Sequence, residues 1–139
     1  MIENVIGTNN GKVVLVGHGV GTWISILIAC KRPDLVSGIV GLSADPDFTE
    51  NLLWTQLDEE VKNKIMTEGV AEITWGNDKY PISRNLIEDG RKNLLLTGDV
   101  GSIPVSCPVR LVHAMNDEEV PYDIAIKLAE NCAARDASV

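Results

Sequence analysis

The sequence predicts an α/β fold, made of one strand–helix–strand unit and a later strand–helix pair. Two short runs rich in β-branched apolar residues, 12–16 and 36–42, flank a segment with helical spacing. A third apolar run and a final amphipathic segment follow towards the C-terminal end. Strands that alternate with helices in this way form a parallel sheet with right-handed crossovers.

The first half of the chain supplies the strand–helix–strand unit. Residues 12–16 form a continuous apolar run closed by Gly17, which is typical of a strand buried on both faces of a sheet. Residues 20–31 follow a helical rhythm, which ends near Pro33 because proline cannot continue a helix. Residues 36–42 are the second buried strand.

The middle of the chain, residues 46–102, is predicted to be an inserted lid. Asp58 is a good helix N-cap and Gly69 a good C-terminal stop, with an apolar stripe between them. Residues 82–96 give a second helix, which ends before Gly98. Two helices inserted between two strands are more typical of a lid than of a layer that covers a sheet.

The last part of the chain returns to the sheet. Residues 109–113 form the third predicted strand and residues 122–134 a final amphipathic helix. With 139 residues the chain has the length of one small domain, so residues 1–139 are predicted to form a single α/β domain that contains the lid.

Composition and charge exclude several classes of function. The formal net charge of −8 argues against a nucleic-acid partner, because phosphate binding requires clustered Lys and Arg. The three cysteines lack metal-ligand spacing, and they indicate free thiols in a reducing compartment, without a disulfide framework or a metal site. No apolar run reaches the roughly 18–20 residues that span a bilayer. Residues 1–4 lack the character of a transit peptide, and no cofactor is expected.

The most distinctive local motif is Gly17-His18-Gly19-Val20-Gly21, between the first predicted strand and helix. It is compatible with a nucleophile elbow, Gly-x-Ser-x-Gly, which holds a serine above the sheet. It is also compatible with a dinucleotide-binding turn, or with a tight turn that only requires small residues.

The dinucleotide alternative has one point for it and one against it. Asp45 or Asp47 follows the next strand, near the place of a ribose-binding carboxylate. Thr22, however, stands at the third glycine position, where a branched side chain hinders close packing of helix and strand.

A second motif lies near the C-terminal end. Residues 111–121 read Leu-Val-His-Ala-Met-Asn-Asp-Glu-Glu-Val-Pro. This segment resembles the triad-acid turn of the α/β-hydrolase superfamily, usually His-Gly-x-x-Asp-x-x-Val-Pro. Trp23, Arg32-Pro33 and residues 103–111 extend the resemblance over residues 12–133. Within this superfamily the chain resembles the abhydrolase group of mitochondrial palmitoyl-protein thioesterases, also known as mycophenolic acid acyl-glucuronide esterases.

The resemblance implies a partial α/β-hydrolase fold and assigns roles to individual residues. Asp117 falls on the triad acid, which orients a histidine. Gly19 falls on the nucleophile position, where the family has serine and where glycine can perform no attack. The N–H of Val20 falls on the oxyanion hole. Trp54 and Trp75 flank the lid helix, where they pack or contact an acyl chain.

The triad histidine has no counterpart in this chain, since no histidine follows Asp117. His113 at a strand end and His18 before the nucleophile position are interpreted as structural residues. Ser25 and Ser43 are not convincing substitute nucleophiles, because no base stands near them in sequence.

Three functions remain open at this point. The first is a serine-type acyl ester or thioester hydrolase by descent, truncated and catalytically impaired. The second is a non-catalytic acyl-binding or decoy protein. The third is a nucleotide-binding domain. The expected ligand is an acyl chain, an acyl glucuronide or an S-acylated protein, without a membrane span. The resemblance implies a mitochondrial location, with a cytoplasmic one as the alternative, and open sheet edges predict self-association.

Overall fold

A computed structural model describes residues 11–139, which form two compact units. The sheet unit comprises the described residues up to Pro46 together with Leu95–Val139. The insertion unit comprises Asp47–Leu94. The expectation about a transit peptide concerns residues that lie outside the described range.

The sheet unit consists of β1 (Val13–His18), α1 (Val20–Lys31), β2 (Val36–Leu42), β5 (Val109–Val112), α4 (Asp123–Asn131) and β6 (Ala137–Ser138). Its four strands are parallel and lie in the order β1-β2-β5-β6. Both helices share one apolar core with the sheet, in which Ile26, Ile39, Val109 and Leu128 are fully or almost fully buried. The predicted α/β class is thereby confirmed.

Helix α1 lies very close to the sheet because two strand residues have no side chain. A Cβ atom on Gly41 would overlap the Thr22 methyl group, and one on Gly17 would overlap the backbone of Gly21. Thr22 is completely buried, and its hydroxyl donates to the carbonyl oxygen of Gly17 at 3.0 Å. Gly41, opposite Thr22, therefore makes room for the branched side chain. The expectation that Thr22 would hinder close packing of helix and strand was wrong.

The element boundaries of the sheet unit are close to the predicted ones. Helix α1 and strand β2 have the predicted limits, whereas β1 continues through Gly17 to His18. Helix α4 starts at Asp123 and ends at Asn131, three residues before the predicted end. Cys132 closes it with an extended backbone, so the chain leaves the helix in time to form β6.

Strand β6 corrects the expectation of an open sheet edge at the third predicted strand, β5. Ala137 and Ser138 pair in parallel with Val109 and Arg110 of β5. The Arg110 guanidinium also bridges to the Asp136 carboxylate at 2.8 Å. The outer edge of β5 is therefore covered over part of its length by the C-terminal residues of the same chain.

The insertion unit contains a β-hairpin as well as helices. Its elements are a short π-helix (Thr49–Trp54), α2 (Glu59–Glu68), β3 (Val70–Trp75), β4 (Asp78–Ser83) and α3 (Arg84–Lys92). Strands β3 and β4 are antiparallel, with Trp75 opposite Asp78, so Gly76-Asn77 forms a two-residue loop. The prediction of two helices was thus incomplete, and the second helix does not begin at residue 82.

The caps explain these boundaries. Ser83 accepts the N–H of Leu86 at 3.1 Å, which starts α3 directly after the hairpin. Gly69 ends α2 with a left-handed φ of +88°, as predicted from its position. Gly76 has φ +61°, which suits the tight hairpin turns that require positive φ.

Two further predictions concern the membrane and the thiols. Within residues 11–139, none of the helices combines the length and apolar character that a bilayer span requires. Cys30, Cys107 and Cys132 are free thiols that belong to or pack against the core of the sheet unit. Burial is the main cause that raises the pKa of the Cys132 thiol to about 11. A protonated, buried thiol is an unreactive one.

Candidate functional site

The turn between β1 and α1 presents the backbone of Gly19 at the carboxyl end of the sheet. Gly19 has φ +53° and ψ −121°, a conformation that strains residues with a side chain. Its N–H donates to the carbonyl oxygen of Leu42 at 2.9 Å, and its own carbonyl accepts the N–H of Thr22 at 3.0 Å. The turn is therefore fixed from both sides by the neighbouring strand and by the first turn of α1.

A cleft of about 410 Å³ lies beside this turn. Residues from three strand ends line it, namely His18, Gly19, Val20, Ser43, Asp45, Asp117, Glu119 and Val120. The structure thus brings together the predicted nucleophile, oxyanion-hole and acid positions. A cleft at the carboxyl ends of parallel strands is the usual place for a ligand in α/β proteins.

Val20 is the first residue of α1. The first N–H groups of a helix have no partner within the helix, and the helix dipole makes them favourable for negative charge. The N–H of Val20, at the very start of α1, therefore suits a carbonyl oxygen that carries negative charge, which is the role of an oxyanion hole.

Asp117 is held by the tight turn that follows β5. One of its carboxylate oxygens, Oδ1, accepts the N–H groups of Glu119 and Val120, both at 3.0 Å. Ser43 also contributes to lowering the pKa of this carboxyl, after Val120 and Glu119. These hydrogen bonds, led by the one from Val120, hold the pKa of Asp117 below its usual value. The side chain is thus an oriented, ionised carboxylate in the cleft.

His113 is a scaffold residue of the acid turn, as the sequence predicts. Its side chain is only 1% exposed, and its Nε2 lies 2.8 Å from the carbonyl oxygen of Val120. Because a carbonyl can only accept, Nε2 carries the proton and donates it. The Nδ1 atom is buried and has no hydrogen-bond partner among the described residues. The ring therefore closes the loop around Asp117 and has no lone pair directed into the cleft.

Ser43 is the site residue that sequence reasoning underrated. It has φ +41°, a strained value for a residue with a side chain, and it lines the cleft beside Gly19 and Asp117. It helps to lower the pKa of Asp117, and its N–H donates to the carbonyl oxygen of Val112 at 2.9 Å. Its position directly after a predicted strand could have indicated this place in the cleft, because polar residues at the carboxyl ends of neighbouring parallel strands lie close together.

Trp54 and Trp75 belong to the insertion unit and are not among the residues that line the cleft. Both are partly buried against the core of that unit. The Arg91 guanidinium lies 4.7 Å from the Trp54 ring centre, and Arg91 also pairs with Glu50 at 2.7 Å. These contacts give the two indoles a packing role within their own unit.

Replacing Asp117 by alanine should loosen the acid turn, because the N–H groups of Glu119 and Val120 lose their acceptor. We expect a lower melting temperature and faster amide exchange at residues 119 and 120, measured by NMR. Asp117→Asn keeps an oxygen acceptor and should lose less. Equal melting temperatures for wild type and Asp117→Ala would contradict this role of the carboxylate.

The same carboxylate should give the turn a defined pH dependence. Its folded pKa is lowered, so its stabilising contribution is present above the unfolded pKa and is lost as the pH falls through the folded pKa. We expect the protection of the residue 120 amide, measured relative to the intrinsic exchange rate at each pH, to fall only in that acidic range. In Asp117→Asn this loss of protection should be missing.

Comparisons with known proteins agree with this fold. Palmitoyl-protein thioesterase ABHD10, mitochondrial, from Homo sapiens is 29% identical over 133 residues, which is 94% of this chain and 42% of the relative. The structure of alpha/beta hydrolase domain-containing protein 10 from mouse matches with a TM-score of 0.77 and 25% identity, over 99% of this chain and 55% of that one. A putative hydrolase from Agrobacterium vitis S4 matches with a TM-score of 0.76 and 31% identity, over 87% and 48%.

No family model matches the chain. The chain also spans less than half the length of the human thioesterase that it matches. The sequence similarity and the structural superpositions nevertheless agree on one architecture, an α/β-hydrolase fold with a parallel sheet. The protein has a partial α/β-hydrolase fold and resembles the abhydrolase family.

Proposed function

We propose that this chain binds the acyl group of an ester or thioester in the Gly19 cleft and does not cleave it. It is in this view a serine-type acyl hydrolase by descent that is catalytically impaired. The observation that carries the proposal is Gly19, which keeps the strained elbow backbone without the hydroxyl that the elbow serves to present.

The chemistry follows from the groups present in the cleft. A carbonyl oxygen of the ligand would accept hydrogen bonds from the first N–H groups of α1, including that of Val20. Acyl transfer would further require an oxygen nucleophile at position 19 and an imidazole to take its proton. Position 19 has no side chain, and the His113 ring donates to Val120 instead. Binding therefore remains and bond cleavage is lost.

The acyl nature of the ligand rests on the resemblance. The human relative is named a palmitoyl-protein thioesterase, which favours a long acyl chain on a thiol. An acyl glucuronide is the second ligand class within the proposal. The prediction that residues 46–102 act as a lid is part of the same proposal, in which Trp54 and Trp75 pack within the lid and acyl-chain contact by these residues is the alternative.

Titration of the ¹⁵N-labelled chain with an acyl thioester, followed by NMR, tests binding and turnover together. We expect saturable shifts of the amides of Gly19, Val20 and Ser43, with no release of free thiol over the same period. A titration without saturable shifts at these amides would overturn the acyl-binding proposal. Saturable shifts with NAD or ATP would favour the nucleotide-binding alternative.

Gly19→Ser should not restore hydrolysis, although the serine fits. A Cβ atom at position 19 meets only the carbonyl oxygen of Ser43, at 4.0 Å. The positive φ should cost about 1–3 kcal/mol of stability. The hydroxyl would still lack a base, because the Nε2 atom of His113 is bonded to the carbonyl oxygen of Val120. His18 is the residue directly before position 19, and we do not expect it to act as this base. Turnover of a chromogenic acyl ester should equal that of Gly19→Ala.

The matched alanine variant separates catalysis from strain, since both variants carry a Cβ at the same φ. Esterase turnover by Gly19→Ser above the Gly19→Ala rate would contradict the absence of a base. Its loss in a His18→Ala, Gly19→Ser double variant would then identify His18 as that base.

We also propose a mitochondrial location, on the basis of the human relative's name. Fractionation of the native cells, followed by immunodetection of the protein, tests it. Recovery in the mitochondrial fraction is the expected result, and recovery in the cytoplasmic fraction alone would contradict the proposal.

A further inference from the structure

The cleft beside Gly19 contains several carboxylates. Asp45 follows β2, Asp117 and Glu119 follow β5, and all three are among the residues that line the cleft. Neither lysine nor arginine is among the described residues that line it. Charges that surround one cleft act together on any ligand that enters it. The walls that β2 and β5 supply therefore contribute negative charge to the site.

The acid turn holds two of these carboxylates side by side. The N–H of Glu119 donates to Oδ1 of Asp117 at 3.0 Å, so the backbone of residue 119 lies directly against the Asp117 carboxylate. The Asp117 carboxyl stays ionised, because the N–H groups of Val120 and Glu119 lower its pKa. Glu119 itself is exposed and lines the same cleft. The turn thus fixes the place of Glu119 through its backbone and leaves its side chain free to act on a ligand.

The charge of an acyl donor lies on its alcohol or thiol side. The acyl chain is apolar and the ester or thioester carbonyl is neutral, whereas an acyl glucuronide carries a carboxylate and an S-acylated basic peptide carries cations. Two unit charges about 4 Å apart in water change an affinity by about fivefold, in opposite directions for a cation and an anion. Negative charge in the cleft is therefore large enough to separate these donors.

We propose that Glu119, together with Asp117, selects the ligand of the cleft by charge. Acyl thioesters with a cationic group on the thiol side should bind more tightly than thioesters with a carboxylate there. The inference rests on the proposed acyl binding, and within that proposal it favours S-acylated basic peptides over acyl glucuronides. Glu119 is the specificity-determining residue to vary, because the acid turn uses its backbone N–H and not its side chain.

Three octanoyl thioesters with the same acyl chain test the selection on the 139-residue chain. Octanoylthiocholine is cationic, the thioester of N-acetylcysteamine is neutral and the thioester of mercaptoacetate is anionic. The amide shifts of Gly19, Val20 and Ser43 give a Kd for each. We expect the tightest binding for the cation and the weakest for the anion, in steps of about three- to fivefold. These differences should shrink when the ionic strength rises from about 0.01 M to about 1 M, because the Debye length falls from about 30 Å to about 3 Å.

Glu119→Gln removes the charge and keeps the shape of the side chain. It should narrow the ratio of the anionic to the cationic Kd by about fivefold or more, since both affinities change in opposite directions. Glu118→Gln is the matched control. It removes the same charge from the adjacent residue, which is exposed and is not among the described residues that line the cleft. Its effect on the ratio should stay below about twofold, because solvent screens charges outside the cleft.

The possible results separate this inference from the proposed function. Equal Kd values for the three thioesters, or tighter binding of the anionic one, would overturn the charge selection and leave acyl binding intact. Equal effects of Glu119→Gln and Glu118→Gln would overturn the assignment to Glu119. An absence of saturable shifts with all three thioesters would reject acyl binding itself, and this inference with it. Should Glu119→Gln fail to fold, the salt dependence of the wild type decides, and differences that persist unchanged at high ionic strength reject the selection by charge.

Discussion

Gly17→Ala is expected to prevent the protein from folding stably. A Cβ atom at position 17 would lie 2.5 Å from the carbonyl oxygen of Gly21 and from the nitrogen of Thr22. Both atoms belong to the backbone of the first turn of α1, so no side-chain rotation can relieve the overlap. Overpacking commonly costs about 1–3 kcal/mol even where side chains can move. We expect about 3 kcal/mol or more here, a large part of the stability of a small domain.

Gly21→Ala provides the matched control within the same five-residue motif. A Cβ atom on Gly21 meets no other atom within 4 Å, and the residue lies inside α1. Alanine favours the helix over glycine by up to about 1 kcal/mol, so this variant should be as stable as wild type or more stable. Thermal melts followed by circular dichroism measure both variants. Similar melting temperatures for Gly17→Ala and wild type would show that α1 does not lie this close to β1.

Gly41→Ala is expected to give the second largest loss, through Thr22. A Cβ atom at position 41 would overlap the Thr22 methyl group and lie 2.8 Å from a methyl carbon of Leu111. All three residues are in the packed interior of the sheet unit, so we expect a cost of about 2–3 kcal/mol. Chemical denaturation of the variant measures this loss.

Thr22→Ser removes the overlapping methyl group and keeps the hydroxyl that donates to Gly17. Alone, it should cost about 1 kcal/mol for the lost methyl group. Combined with Gly41→Ala, it should recover part of the loss, so that the two changes together cost less than their sum. Strictly additive costs would contradict direct contact between the two positions.

The strands and helices of the sheet unit could be predicted from their apolar patterns, but the expected burial of β1 on both faces was wrong, because Val14 and Val16 are exposed. Continuous apolar runs identified β1, β2 and β5, and Pro33 marked the region where α1 ends. The cleft followed from the same elements, because parallel strands bring their carboxyl ends together and Gly19, Val20 and Asp117 each follow a strand.

The hairpin β3–β4 was missed because its pattern is weak. Strand β4 contains Pro81, which argues against a strand when only the sequence is known. It is also exposed over most of its length, so it has no buried apolar run that would indicate a strand. The two-residue loop Gly76-Asn77 was the usable signal, since its φ of +61° at Gly76 suits a hairpin. Strand β6 has only two residues, too few for any periodicity.

The role of Ser43 could not be predicted from its neighbours in sequence. Asp117 is distant in the chain, and the pairing of β2 with β5 brings the two residues into one cleft. The engagement of His113 with Val120 likewise depends on the path of the acid turn. Sequence patterns locate the elements, whereas contacts between strand ends require the three-dimensional fold.

Intact-mass spectrometry after incubation with a fluorophosphonate tests most directly whether this polypeptide has an activated serine. Such probes form a covalent bond only with an oxygen nucleophile that a neighbouring base has activated. We predict that the folded chain keeps its unmodified mass of 15.1 kDa, as does Gly19→Ser. A phosphonylated species from the folded wild type, absent after denaturation, would contradict the claim that its cleft binds without cleaving.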